Sequence, residues 1–304
     1  MWKKISFFNV SSFLPTGFIS HAQLPTALVL NDKVRVFFAS RNEKQFSSVF
    51  YVDIVIDNTR CDYYYIANNP ILEPGGVGCF DWNGVYPSSI VEVNKNYFLY
   101  YIGWTQGIEA PLFYASIGLA ISSDGSTFKK YSISPILDRS MYDPCLVTSP
   151  NVFIDNNIWK MTYVSGLKWV RNKYNNLQSY YHIKYAESVD GINWVRDGRI
   201  AIDLQDKETN VARSSVLKIN NGFYKMWFSY VDSKINKYRI GYAESVDSYN
   251  WIRNDSLAGI TVDTTHAQDM LCYPNVFKWE DDLYMLYNGD SYGKLGFCLA
   301  IWVD

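Results

Sequence analysis

Pro25-Thr26-Ala27-Leu28-Val29, Pro87-Ser88-Ser89-Ile90-Val91, Pro150-Asn151-Val152-Phe153-Ile154, Ser214-Ser215-Val216-Leu217-Lys218 and Pro274-Asn275-Val276-Phe277-Lys278 are five versions of one phrase. Each opens on proline or a small residue and runs into a short apolar strand. Their first residues lie 62, 63, 64 and 60 positions apart, so five periods nearly exhaust the 304 residues. Self-similarity at such a period marks a repeat architecture, in which each unit buries its apolar face against the next.

Working outward, a polar turn leads from each phrase to an aromatic-rich second strand, such as Tyr97-Phe98-Leu99-Tyr100-Tyr101 or Leu283-Tyr284-Met285-Leu286-Tyr287. A third strand carries a small-residue motif: Ile117-Gly118-Leu119-Ala120, Ile183-Lys184-Tyr185-Ala186, Ile240-Gly241-Tyr242-Ala243 and Leu295-Gly296-Phe297-Cys298. Three of these are followed by a turn of the type Ser188-Val189-Asp190-Gly191-Ile192-Asn193-Trp194 and then a fourth strand. Four short strands repeated radially predict an all-β fold, a five-bladed β-propeller of four-stranded blades. A single domain spans 1–304, with blades at about 11–70, 71–135, 136–200, 201–260 and 261–304 plus 1–10. The chain ends just after a third strand, and Trp2-Lys3-Lys4-Ile5 is similar to the fourth-strand opening Trp194-Val195-Arg196. The N-terminal strand is therefore expected to complete the last blade and close the ring.

Composition narrows the function. A hydrophobic content of 48% with 17% aromatics excludes disorder, and 28 Lys+Arg against 30 Asp+Glu leave no basic field for nucleic acid or anionic membrane. No run of 18 apolar residues spans a membrane, and no signal peptide is legible. The five cysteines, Cys61, Cys79, Cys145, Cys272 and Cys298, are scattered without a CxxC pair and read as thiols in a reducing, cytoplasmic compartment. No phosphate loop and no clustered metal-ligand spacing occurs, so no cofactor and no metal is expected.

The five units, with their aromatic second strands and Ser-x-Asp-Gly-x-x-Trp turns, resemble the five-bladed β-propeller glycosidase superfamily. That group holds the arabinofuranosidase/xylosidase-, invertase- and mannoside-phosphorylase-like families. The phrases Ser149-Pro150-Asn151-Val152-Phe153-Ile154-Asp155 and Tyr185-Ala186-Glu187-Ser188 carry the resemblance, which covers the whole chain. The turn is also similar to the sialidase Asp-box and is given the structural role it has there. The resemblance implies a funnel on the ring axis, lined by the first residues of the innermost strands, where two carboxylates do the chemistry. In the arabinofuranosidase-like families three acids stand immediately before the proline or its equivalent. Here those positions hold Leu24, Tyr86, Ser149, Arg213 and Tyr273, none of them a carboxylate.

Four acids slightly upstream are the replacement candidates: Asp81, Asp143, Glu208 and Asp269. Asp143 sits in Tyr142-Asp143-Pro144, similar to the Arg-Asp-Pro motif of invertase-like enzymes with Tyr for Arg. His21 is a candidate base or proton shuttle, with Gln23 and His266 as hydrogen-bonding neighbours of substrate. Arg213 and Arg41 suit an anion, since a guanidinium facing the axis needs a partner of opposite charge; in the mannoside phosphorylases that this chain resembles, such arginines hold phosphate. Trp82, Tyr86, Trp104 and Tyr273 are candidates for stacking on sugar rings, and Ser149 for contacting them. A long hairpin over 166–181 is expected to wall the groove.

The expected partner is an oligosaccharide or polysaccharide, of acidic or phosphorylated type. The first expectation is an intracellular carbohydrate-active protein that cleaves or transfers a glycosidic bond through a non-standard acid/base set. The alternative is a non-catalytic glycan-binding propeller that reads an acidic or phosphorylated sugar through Arg41 and Arg213. Fold alone does not separate the two.

Overall fold

The repeated phrase lies within the first strand of every unit. The structure is a computed structural model that describes residues 1–10, 14–57, 60–219, 222–232, 234–263 and 266–303. After β1 (Trp2–Asn9) the first unit runs β2 (Phe18–Val29), β3 (Val34–Asn42), β4 (Ser47–Asp57) and β5 (Arg60–Ile66). The second is β6 (Gly84–Val93), β7 (Asn96–Gln106), β8 (Phe113–Ser122) and β9 (Lys129–Lys130). The third is β10 (Leu146–Asp155), β11 (Ile158–Arg171), β12 (Leu177–Ser188) and β13 (Ile200–Ile202). Next come β14 (Val211–Ile219), β15 (Phe223–Asp232), β16 (Lys237–Ser245) and β17 (Ile252–Arg253). The last unit, β18 (Cys272–Trp279), β19 (Asp282–Asn288) and β20 (Gly296–Trp302), takes β1 as its fourth strand, with Trp2 opposite Trp302 and Phe8 opposite Phe297. All pairing within units is antiparallel; one parallel pair, Ser47 with Gly84, links the first two.

Apolar residues alternate to both faces of these sheets, so each sheet must be covered twice. Five buried clusters do this. Phe37, Tyr51, Leu99 and Phe128 lie between the first and second units, and Tyr100, Val152, Trp159 and Met161 between the second and third. Val164, Ile183, Met226 and Phe228 join the third to the fourth, and Trp227, Tyr242, Val276 and Met285 join the fourth to the fifth. Val36, Phe38, Phe50, Phe277 and Leu299 fill the space between the fifth and the first.

The polar residue in the repeated phrase has a consistent task. Ser89 Oγ accepts the Val152 N–H (2.9 Å), Asn151 Oδ1 the Val216 N–H (3.0 Å), Ser215 Oγ the Val276 N–H (2.8 Å) and Asn275 Oδ1 the Ala27 N–H (2.8 Å). Four of the five innermost strands thus hand one N–H to the preceding unit, which saves the cost of an unsatisfied donor. The glycine of the third-strand motif is explained by close approach. A Cβ on Gly118 would stand 2.2 Å from the Tyr101 ring directly opposite it, and one on Gly241 2.6 Å from the Phe228 ring. The Ser-x-Asp turns are self-contained: Ser188 Oγ accepts the Asp190 and Gly191 N–H groups, and Asp190 Oδ1 accepts those of Ile192 and Asn193. Those bonds to the carboxylate hold the Asp190 pKa well below the usual range.

A cavity at the openings of the innermost strands

Register slips at the start of the repeated phrase in every unit: between Gln23 and Thr26, Pro87 and Ser89, Thr148 and Asn151, Ala212 and Ser215, and Cys272 and Asn275. A β-bulge leaves an extra residue unpaired and re-aims its side chain. In four units that residue has left-handed backbone: Leu24 (φ 53°), Ser149 (49°), Arg213 (34°) and Tyr273 (59°). Each costs about 1–2 kcal/mol in an L-residue, and neighbours hold two of them. Asn288 Oδ1 accepts the Leu24 N–H (2.9 Å) and Ser229 Oγ that of Tyr273 (2.7 Å).

Leu24, Tyr86, Ser149 and Tyr273 line a cavity of about 710 Å3, with Ala212 in the position beside Arg213. Its lining has two parts of different chemistry. In one, from the first two units, stand Gln23, Arg41, Lys44 and Tyr86; Arg41 donates to Gln23 Oε1 (2.9 Å) and to the Tyr86 hydroxyl (3.1 Å). The other is a tyrosine wall of Tyr181, Tyr238, Tyr273 and Tyr292, in which the Tyr181 and Tyr238 hydroxyls are hydrogen-bonded to each other. Trp104, Phe113 and the 110–112 segment complete the rim. That segment is tied to the predicted long hairpin, whose strands pair out to Arg171 and Leu177: Glu109 meets Arg171 at 2.6 Å, and the Phe113 ring lies 5.7 Å from that of Trp169.

Arg213 lies below this cavity, 1% exposed. Its Nη2 donates to the Pro25 carbonyl (3.2 Å) and the Thr26 hydroxyl (3.0 Å), both neutral, and Nη1 has no partner among the described residues. Burial of the cation lowers its pKa. The acids nearest in sequence are engaged elsewhere.

Among the described residues lining the cavity there is no Asp or Glu. Asp81 bonds Lys130 (2.5 Å), the Tyr101 hydroxyl and the Gly75 N–H. Asp143, fully buried, holds Arg196 (2.9 Å), Ser140 and Tyr163, with Lys184 at 3.7 Å. Glu208 makes a two-pronged pair with Arg253 (2.7 and 2.9 Å), and Asp269 is surface-exposed beside Lys237. The structure thus places the four upstream acids in ion pairs outside the cavity rather than together in it.

Of the other candidates, Gln23, Arg41, Tyr86, Trp104, Ser149 and Tyr273 converge on the cavity. Trp82 packs edge-on to Phe46 (5.7 Å), and the exposed His266 stacks on Phe7 (3.7 Å), so neither lines it. His21 shares the β2 opening with Gln23 but turns to Ser20 Oγ (2.7 Å); burial, then the charges of Arg41 and Lys294, push its pKa down to about 4. Among the described residues no group of three or more His, Cys, Asp or Glu is placed to hold a metal ion.

Tyr181, Tyr238 and Tyr292 were not among the residues singled out from sequence. The repeat does mark the first two: they stand two residues before Ile183 and Ile240, and Ala115, two before Ile117, lines the cavity as well. No such signal marks Tyr292, which sits in a left-handed turn, Ser291 (φ 53°), Tyr292 (59°) and Gly293 (77°).

The whole chain, opening strands included, aligns with a relative. It is 33% identical over 308 residues to "Uncharacterized protein Rv1502" of Mycobacterium tuberculosis strain H37Rv, covering 99% of this chain and 98% of that one. The chain belongs to the Rv1502 family. The counterpart MT1551 of strain CDC 1551 matches to the same extent. No family model matches. Among solved structures, a glycoside hydrolase superposes with a TM-score of 0.75 at 18% identity, covering 99% of this chain and 91% of that one. A structure from the GH130 family of mannoside phosphorylases, which contains glycoside hydrolases that target β-1,2 mannosidic linkages in Candida mannan, gives 0.71 at 14%, covering 99% and 94%. A thermostable family-43 glycoside hydrolase gives 0.65 at 16%, covering 96% and 92%. At such identities the likeness establishes the fold, that of glycoside-hydrolase-like propellers.

Proposed function

We propose that the chain is a five-bladed propeller closed by its N-terminal strand, and that its axial cavity binds an acidic or phosphorylated glycan without cleaving it. The core between the fifth and first units, and the Asn275–Ala27 bond across the same joint, support the ring. The observation that carries the binding role is the charge pattern: guanidinium and ammonium groups at the cavity, Arg213 buried beneath it without an anionic partner among the described residues, and no carboxylate on its described lining. Hydrolysis by the two-carboxylate route needs an acid and a base or nucleophile about 5–10 Å apart across the bond. A desolvated cation instead gains most from an anionic group of the ligand, through charge-assisted bonds.

Titration calorimetry with inorganic phosphate and with D-glucuronate, against neutral D-glucose, tests this. Binding of an anion but not of glucose is expected, weakened at least tenfold by Arg41→Gln. Heat from glucose alone, or undiminished anion binding by the variant, contradicts it.

A further inference from the structure

Tyr292 is held where its own packing gives little return. Ser291, Tyr292 and Gly293 form a turn of left-handed backbone, which only glycine adopts freely, yet the Tyr292 side chain remains 44% exposed. The chain leading into the turn is clamped. On the chain before the turn, Asn288 is fully buried and bonds the Leu24 N–H, the Ala22 carbonyl (2.9 Å) and the Gly296 carbonyl (3.0 Å). Asp290 accepts the N–H groups of Gln268 (3.0 Å), Asp269 (2.8 Å) and Met270 (3.0 Å). The clamped turn delivers the Tyr292 ring to the cavity, 6.3 Å from Tyr273 and nearly parallel to it, and 6.1 Å from Tyr238 edge-on.

A strained, half-open aromatic fixed at the edge of a cavity has surface to offer a flat ligand face. The lining of the same cavity also carries Arg41 and Lys44, which come from the first unit. Resting on the anion-binding role proposed above, we infer that the cavity is two-ended and that Tyr292 sets its specificity. The ligand carries its anionic group toward Arg41 and Lys44, and a ring with a flat apolar face, such as a pyranose or an aryl group, lies against Tyr292 and Tyr273. A purely polar anion uses half of the site.

Phenyl phosphate is a suitable probe, because it joins an anion to a flat ring with no stereocentre to match. Calorimetry with inorganic phosphate, phenyl phosphate and phenol compares the two ends separately. The expected result is phenyl phosphate binding at least tenfold tighter than inorganic phosphate. Tyr292→Ala should bring the two within about twofold, and Tyr292→Phe should keep the tenfold gap. Equal affinities in the native protein, or a gap that survives Tyr292→Ala, overturn the two-ended site while leaving the anion role standing. Absence of binding by both phosphates overturns both. Thermal unfolding of Tyr292→Ala, matched to that of the native protein, confirms that the comparison is between folded chains.

Discussion

Arg213 Nη2 donates to the Thr26 hydroxyl at 3.0 Å, reaching from the fourth unit to the first beneath the cavity. The guanidinium is among the most buried side chains of the molecule and has neutral partners. Two roles are compatible with that contact, a strut between sheets and the floor of an anion site, and they differ in what removal does. A buried cation without a counter-charge is a cost to the fold, and its replacement by an apolar side chain of similar volume relieves that desolvation penalty. Arg213→Met is therefore expected to unfold in denaturant at the native midpoint or above it, while anion affinity falls at least tenfold. A destabilised variant with undiminished affinity would identify a strut.

Asp143 gives the opposite expectation. It is fully buried against Arg196 and Lys184 and lies outside the cavity lining. Asp143→Asn strands those cations, a loss of about 3–5 kcal/mol, which chemical denaturation measures. Should the variant fold as stably as the native protein and lose a measurable glycosidic turnover, the non-catalytic role is wrong.

How much of this was legible in the sequence depends on which force placed each residue. The 60-residue period, the four-strand pattern and the partnership of Trp2 with the last sheet follow from apolar alternation and turn chemistry, which are written locally. Positions such as Leu24, Ser149 and Tyr273 were found because the repeat itself marks the bulge. The acids could not be placed that way. Asp81 and Glu208 lie in loops whose direction is decided by distant cations, Lys130 and Arg253, 49 and 45 residues away. Arg213 was expected to face an anion, and the acids Glu208 and Asp143 pair with other arginines. Tyr292 escaped notice because its turn lies outside the repeated pattern, with the left-handed backbone beginning at Ser291.

That turn yields its own prediction. Among the described residues Ser291 makes no side-chain hydrogen bond, and it has φ 53°, a conformation glycine adopts without steric cost. Ser291→Gly should raise stability by about 1 kcal/mol or less, after the greater freedom of glycine in the unfolded chain is allowed for. Urea denaturation reads the change; a clear destabilisation would mean that the backbone there is not strained.

His21 sets a pH dependence of defined sign. Its folded pKa lies near 4, below the ordinary value of 6.5. Between those values the unfolded chain takes up the proton first, so stability falls as pH drops through 6.5 and is lost progressively down to about 4. His21→Gln should flatten the stability profile in that window relative to the native protein and leave it unchanged at pH 8. A profile of unchanged slope would place His21 in a more open setting than the one described.

The central claim is an anion-reading cavity without hydrolytic chemistry, and a glycan array probed with the native protein and with Arg41→Gln addresses it most directly. Retention of acidic or phosphorylated glycans over their neutral counterparts, intact after incubation and lost in Arg41→Gln, is the predicted result. Capture of neutral glycans alone, or release of cleaved sugar from the captured ones, would contradict it.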